Sequence, residues 1–110
     1  MKISKELLKG STATMILKII SEGDTYGYEI AAALETRSDG VFTLKEGTMY
    51  PILHMLEKEG HVEAYRKLAE TGRERRYYRI TAAGRAYLAL RLEEWQLFSD
   101  SFRRVVEGGK

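Results

Sequence analysis

The segment from Lys5 to Glu22 carries apolar residues on more than one helical stripe, and this constrains the chain more than any other feature. Leu8, Met15, Ile16 and Ile19 recur at helical spacing on one side. Leu7, Gly10, Ala13, Thr14 and Leu17 form a neighbouring face of mostly small residues. A helix apolar on two sides needs two surfaces to bury against. A chain of 110 residues builds one core, not two. The second surface is therefore expected to belong to another subunit.

Further along, Gly23 is expected to end this helix in the left-handed conformation. Asp24 or Thr25 then caps a second helix, Tyr26 to about Thr36, buried through Ile30, Ala33 and Leu34. A third helix, ending at Gly60, gathers Met49, Ile52, Leu53 and Leu56 on its core side. Tyr50, Pro51, His54 and Lys58 project from the other. Proline is comfortable only in a first turn. Either this helix starts near Thr48, or it starts earlier and is perturbed at Pro51; the sequence leaves both open.

Two extended runs follow, His61 to Leu68 and Arg75 to Ile80, around a glycine-bearing turn at Ala69 to Arg73. Their aromatic and β-branched residues predict a hairpin. Thr81 caps a last helix with Leu88, Leu92, Trp95, Phe102 and Val106 at alternating four- and three-residue steps, interrupted by Ser99. That seam spans under three heptads and needs a partner, either the first helix or its own copy. The predicted fold is mainly α with a small β-hairpin. Residues 1–80 form a winged helix-turn-helix domain, and 81–110 a C-terminal dimerisation helix.

Charge decides among functions. Lys and Arg number 18 against 16 Asp and Glu, a net +2, so phosphate binding must come from local clustering. Between Tyr65 and Arg79 stand six basic residues and two acidic ones, which leaves −2 for the rest of the chain. A basic hairpin after a helix with a polar outer face suits a DNA duplex, the helix in the major groove and the wing along flanking phosphates. Charges also keep hairpins soluble and discourage edge pairing, but six in fifteen positions outweigh that reading. No cysteine is present, no H-E-x-x-H spacing occurs, and His54 and His61 sit on unlike elements, so neither an enzyme nor a metal or cofactor site is expected. No apolar run is long enough to span a membrane, and the N-terminus lacks signal-peptide order, so a cytoplasmic location is expected.

The stretches Gly23-Asp24-Thr25-Tyr26-Gly27-Tyr28-Glu29-Ile30, Gly47-Thr48-Met49-Tyr50-Pro51-Ile52-Leu53, Leu56-Glu57-Lys58-Glu59-Gly60 and Arg75-Arg76-Tyr77-Tyr78-Arg79-Ile80-Thr81 with Gly84 resemble the PadR family of bacterial and archaeal transcriptional regulators. The match runs in order from about Leu7 to Phe102. The resemblance implies a homodimeric winged-helix repressor. A single helix after the wing is similar to the short-tailed subfamily, in which that helix builds the dimer. Some short-tailed members hold planar aromatic compounds between paired tryptophans, and Trp95 falls on the matching position.

Residue by residue, Tyr50, Pro51 and His54 form the exposed recognition face, with Thr48 as either N-cap or phosphate contact. Lys45 and Tyr26 are phosphate contacts by family analogy, whereas Tyr28 is expected to be packed. Arg73, Arg75 and Arg76 are the wing candidates; strand alternation means that the last two cannot both point at the duplex, so at least one pairs with Glu or covers Tyr. Arg79 is expected to be structural. The ligand reading places a flat molecule among Gly10, Ala13, Thr14, Leu17, Trp95 and Phe98 at the dimer interface; the competing reading makes Trp95 a filled core position. Two further readings stand beside the inducible repressor on palindromic double-stranded DNA. One is a protein–protein module without operator specificity, the other a constitutive repressor with a ligand-free core.

Overall fold

A computed structural model describes residues 3–4 and 8–108. Helix α1 spans Ser11–Ser21 and the two-residue strand β1 Thr25–Tyr26. Helix α2 (Gly27–Arg37) and helix α3 (Glu46–Lys58) form the helix-turn-helix. Strands β2 (Val62–Leu68) and β3 (Glu74–Ile80) form the wing, and α4 (Ala82–Val106) closes the described chain. The sheet order is β1-β3-β2, antiparallel throughout. Mainly α with a small β wing is the fold that the sequence pattern predicts.

The core forms where α1 packs against α2, α3, β3 and α4. Ile16, Leu17, Ile20, Ile30, Met49, Leu53, Leu56, Val62 and Tyr78 are essentially inaccessible there. Leu17 is thus a core residue and not part of an intersubunit ligand face. Its stripe lies beside that of Ile16, and both side chains are fully buried in the same core cluster. Gly10, Ala13 and Thr14 remain at least partly exposed, while Leu7 lies outside the described residues.

Two local expectations are corrected. Gly23 is not left-handed; Glu22 closes α1, and Gly23 follows with an ordinary φ. Neither Asp24 nor Thr25 caps α2, because Thr25 and Tyr26 pair with Tyr78 and Tyr77 as β1. The backbone of Tyr26 occupies the N-cap position without a side-chain cap. Thr25 Oγ1 instead donates to Glu29 Oε1 at 2.8 Å.

Helix α3 ends in a Schellman motif. Gly60, at φ 82°, lets its own N–H reach the Glu57 carbonyl and the His61 N–H reach Leu56. The chain then enters β2, returns along β3, and meets the same corner again. Thr81 caps α4 by accepting from the Gly84 N–H at 2.9 Å, and its hydroxyl donates to the Gly60 carbonyl at 2.6 Å. The Thr81 N–H bonds the His61 carbonyl at 3.1 Å. Gly84 is buried against that same carbonyl, and any Cβ there would overlap it and the Ile80 side chain. His61 also stacks on Tyr87, centroids 4.1 Å apart and 13° from parallel. One corner therefore joins the end of α3, the base of the wing and the first turn of α4.

Beyond Leu88, the last core residue of α4, the helix leaves the body. Its 25 residues reach about 37 Å, and the radius of gyration is 15.6 Å where a compact chain of this length gives about 13 Å.

Gly84→Ala should destabilise the fold by about 3 kcal/mol, because the clash is with backbone and cannot relax by a rotamer change. Gly23→Ala, with open space and an ordinary φ, should change stability by under about 1 kcal/mol. Urea unfolding of the two variants checks the contrast; equal midpoints would remove the corner as a structural constraint.

Candidate nucleic-acid interface

Helix α3 begins at Glu46 with Lys45 as N-cap, which resolves the two alternatives in favour of the early start. Thr48 is accordingly inside the first turn, its N–H bonded to the Lys45 carbonyl, and is not the cap. Pro51 sits in the helix interior, where it lacks the N–H that would bond Gly47. Both residues lie on the solvent side, and burial of Met49, Leu53 and Leu56 on the other side holds the helix through the defect.

The outward face of α3 carries Lys45, Thr48, Tyr50, Pro51, His54 and Lys58, all exposed. Tyr50 is anchored from below. Its hydroxyl rests against Gly27 at the start of α2, where a Cβ would come within 2.8 Å of it. Tyr28, next to that contact, is 72% exposed, contrary to the expectation that it packs. It occupies the first turn of α2, on the side turned away from the core.

The wing register pairs Val62 with Ile80, Ala64 with Tyr78, Tyr65 with Tyr77, Arg66 with Arg76 and Lys67 with Arg75. Side chains alternate, so Arg75 and Arg76 stand on opposite faces. On the face shared with the core, one guanidinium nitrogen of Arg76 donates to both carboxylate oxygens of Glu57 at 3.0 Å each. Arg66, directly across the strands from Arg76, approaches Glu74 at 3.4 Å. On the other face, Tyr26, Tyr77 and Tyr65 form a cross-strand ladder with centroids 5.2 and 5.8 Å apart. Arg75 lies over Tyr26, Lys67 over Tyr77 and Arg79 over Tyr65, at 5.4, 4.7 and 4.7 Å.

At least one of Arg75 and Arg76 is expected to pair with Glu or cover Tyr; Arg76 pairs with Glu57 and Arg75 covers Tyr26. Arg79 is structural, with its Nε donating to Asp24 at 3.2 Å. Tyr26 is buried beneath Arg75 and Tyr77, so its ring is a platform for a cation more than a surface for phosphate. Arg73 stands exposed in the turn. The tyrosine ladder and the role of Glu57 were missed. Both depend on register and on a two-residue strand that only tertiary pairing creates.

On α4, Arg91 donates to the Gly10 carbonyl at 3.4 Å, which places the start of α1 beside the middle of α4. Trp95, one turn further along, is 54% exposed, and Phe98 and Phe102 are exposed beside it. Among the described residues no helix is long and apolar enough to cross a membrane, and no group of three or more His, Cys, Asp or Glu could hold a metal ion.

Two phenols report on the sheet. Burial raises the Tyr78 pKa above the ordinary tyrosine value, against the opposing influence of Arg76, and its hydroxyl has no hydrogen-bond partner. The hydrogen bond to Asp24 raises that of Tyr65, with some help from burial. Both folded values lie above the unfolded ones, so the unfolded chain loses these protons first. Their contribution to stability is complete below about pH 10 and is lost as pH rises through the folded values. Tyr78→Phe should flatten this alkaline decline while changing neutral-pH stability by under about 1 kcal/mol. Denaturant midpoints at neutral pH and above pH 10 check it; an unchanged decline would contradict the burial argument.

Residues 16–90 match the model of the transcriptional regulator PadR-like family. The chain is 29% identical over 104 residues to the transcriptional regulator Rv3488 of Mycobacterium tuberculosis, covering 94% of this chain and 91% of that protein. It is similar to a solved transcriptional regulator from Clostridium thermocellum, at 37% identity and a TM-score of 0.83, covering 93% of this chain and 96% of that one. A solved PadR-like transcriptional regulator from Bacillus cereus is 31% identical with a TM-score of 0.82, over 93% of this chain and 97% of the other. These are regulators and not enzymes. With its helix-turn-helix, basic wing and long final helix, the chain belongs to the PadR-like family of transcriptional regulators, winged-helix proteins that act through DNA.

Proposed function

We propose that the chain is a homodimeric repressor of an imperfect palindrome, with the winged helix-turn-helix in residues 1–80 and the dimerisation helix in 81–110. The carrying observation is the uncovered apolar stripe of α4. Leu92, Trp95, Phe98, Phe102 and Val106 are 42%, 54%, 62%, 58% and 65% exposed. Single exposed hydrophobes are ordinary, but a continuous stripe along a projecting helix marks an interface. A seam this short is stable only when paired, and a second copy supplies the same seam.

In such a dimer the two α3 helices enter successive major grooves, with half-site centres about 34 Å apart or a multiple of that. Lys45, Thr48, Tyr50, Pro51 and His54 meet the groove and its rim, and Arg73 and Arg76 the flanking phosphates, with Arg75 on the other face of the wing. Tyr26 supports Arg75 from below. Affinity comes mainly from phosphate contacts and falls steeply with salt.

Inducer binding is a second reading, favoured by the exposure of Trp95. A flat aromatic molecule stacks between paired Trp95 side chains, bounded by Phe98 and by Gly10, Ala13 and Thr14, without Leu17. It acts by favouring one spacing of the subunits and hence of the recognition helices. Quenching of Trp95 fluorescence by planar dyes tests this reading; no quenching across a broad panel would contradict it.

Sedimentation velocity tests the dimer. Wild-type chain should sediment as a dimer, and Phe102→Glu should shift it toward monomer and weaken DNA binding by about tenfold or more, since one half-site contact is lost. A wild-type monomer that binds DNA as tightly as Phe102→Glu would contradict the proposal.

A further inference from the structure

Arg76 reaches the surface already occupied. Glu57 belongs to the last turns of α3, on the flank of the recognition helix that turns toward the wing, and its carboxylate takes both of its bonds from a single Arg76 nitrogen. The Arg76 side chain, which also lies over the Tyr78 ring, is 41% exposed and the Glu57 side chain 33%. Directly across the strands stands Arg66, a like charge in a position where like charges repel, and it has its own carboxylate in Glu74. Two opposed arginines on one face of the wing are thus each balanced by one internal acid. On the opposite face Arg79 is paired with Asp24, whereas Lys67 and Arg75 lie over tyrosine rings, which leaves the charge of those two free to attract an external anion.

We infer that Glu57 is a specificity-determining residue, which holds Arg76 back from non-cognate DNA by competing with backbone phosphate for its guanidinium. This rests on the DNA-binding reading above and deepens it. A phosphate that approaches Arg76 must either displace the Glu57 carboxylate or share the cation with it, and the carboxylate repels it meanwhile. On a random duplex, where α3 makes no base contacts, nothing offsets that repulsion and Arg76 stays with Glu57. On a cognate site, docking of α3 brings the flanking phosphate to Arg76 along a fixed line. The contact then forms as a consequence of correct register. Loss of the Glu57 charge makes Arg76 a phosphate binder on any sequence.

The test measures binding of a random-sequence duplex of about 20 base pairs by fluorescence anisotropy between about 50 and 200 mM salt, a range over which phosphate contacts show clearly. Wild type, Glu57→Gln, Arg76→Ala and the double variant are compared, with Glu63→Gln as a control for simple loss of one negative charge. Thermal unfolding of each variant confirms that it is folded. Glu57→Gln should bind the random duplex about fivefold tighter and steepen the log–log salt slope by about one, the value of one added phosphate contact. Arg76→Ala in the same chain should abolish both changes, and Glu63→Gln should reproduce neither. An unchanged affinity and slope for Glu57→Gln would overturn the inference. A gain that survives in the double variant would also overturn it, because the effect would then not pass through Arg76. Wild-type chain that binds no duplex even at low salt would remove the DNA-binding reading and this inference with it, whereas wild-type binding with an inert Glu57→Gln removes this inference alone.

Discussion

The contact on which the rest of the molecule depends is the approach of Gly84 to the His61 carbonyl. Only a residue without a side chain lets the first turn of α4 settle on the corner where α3 ends and the wing begins. Thr81 closes that corner by capping α4 with one lone pair and bonding the Gly60 carbonyl with its proton. The stack of His61 on Tyr87 extends the contact one turn up the helix. None of these bonds is strong alone, about 1 kcal/mol each. Together they fix the direction of α4 relative to α3, so in the proposed dimer the spacing of the subunits along α4 would set that of the recognition helices.

The wing shows how charge placement can differ from charge count. On one face Glu57 and Glu74 hold Arg76 and Arg66; on the other Lys67 and Arg75 lie over tyrosine rings with no carboxylate, and Arg79 over a ring is also paired with Asp24. An ion pair lowers the charge offered to DNA, while a cation over a ring keeps its full charge and loses mobility. The two faces are thus inequivalent toward phosphate even though both are rich in arginine. Tyr26, the least exposed of the residues that the family resemblance assigns to DNA, fits this division as the support for Arg75.

Much of this was legible in the sequence. The helical period of Met49, Leu53 and Leu56 separates the inner from the outer face of α3, and the turn at Gly72 places the wing between helices. Thr81 is visible as a cap because its chemistry is local. What escaped was what tertiary packing decides. The strand β1 is two residues long and exists only because β3 offers it an edge. The early start of α3 overrides the proline penalty because three large side chains are buried behind it. Leu17 looked like an interface residue because adjacent helical stripes are distinguished by burial alone, and Tyr28 looked packed because an aromatic ring at a helix start usually finds a neighbour. The Glu57–Arg76 pair links positions 19 residues apart, which no periodicity reports.

The central claim is that two copies of this winged helix read DNA at a fixed spacing set by α4. Selection of bound duplexes from a fully randomised pool tests it most directly. Enriched sequences should converge on an inverted repeat whose half-site centres lie about 34 Å, one helical turn, or a multiple of it apart. Convergence on a single half-site without a symmetric partner, or no convergence at all, would contradict the account.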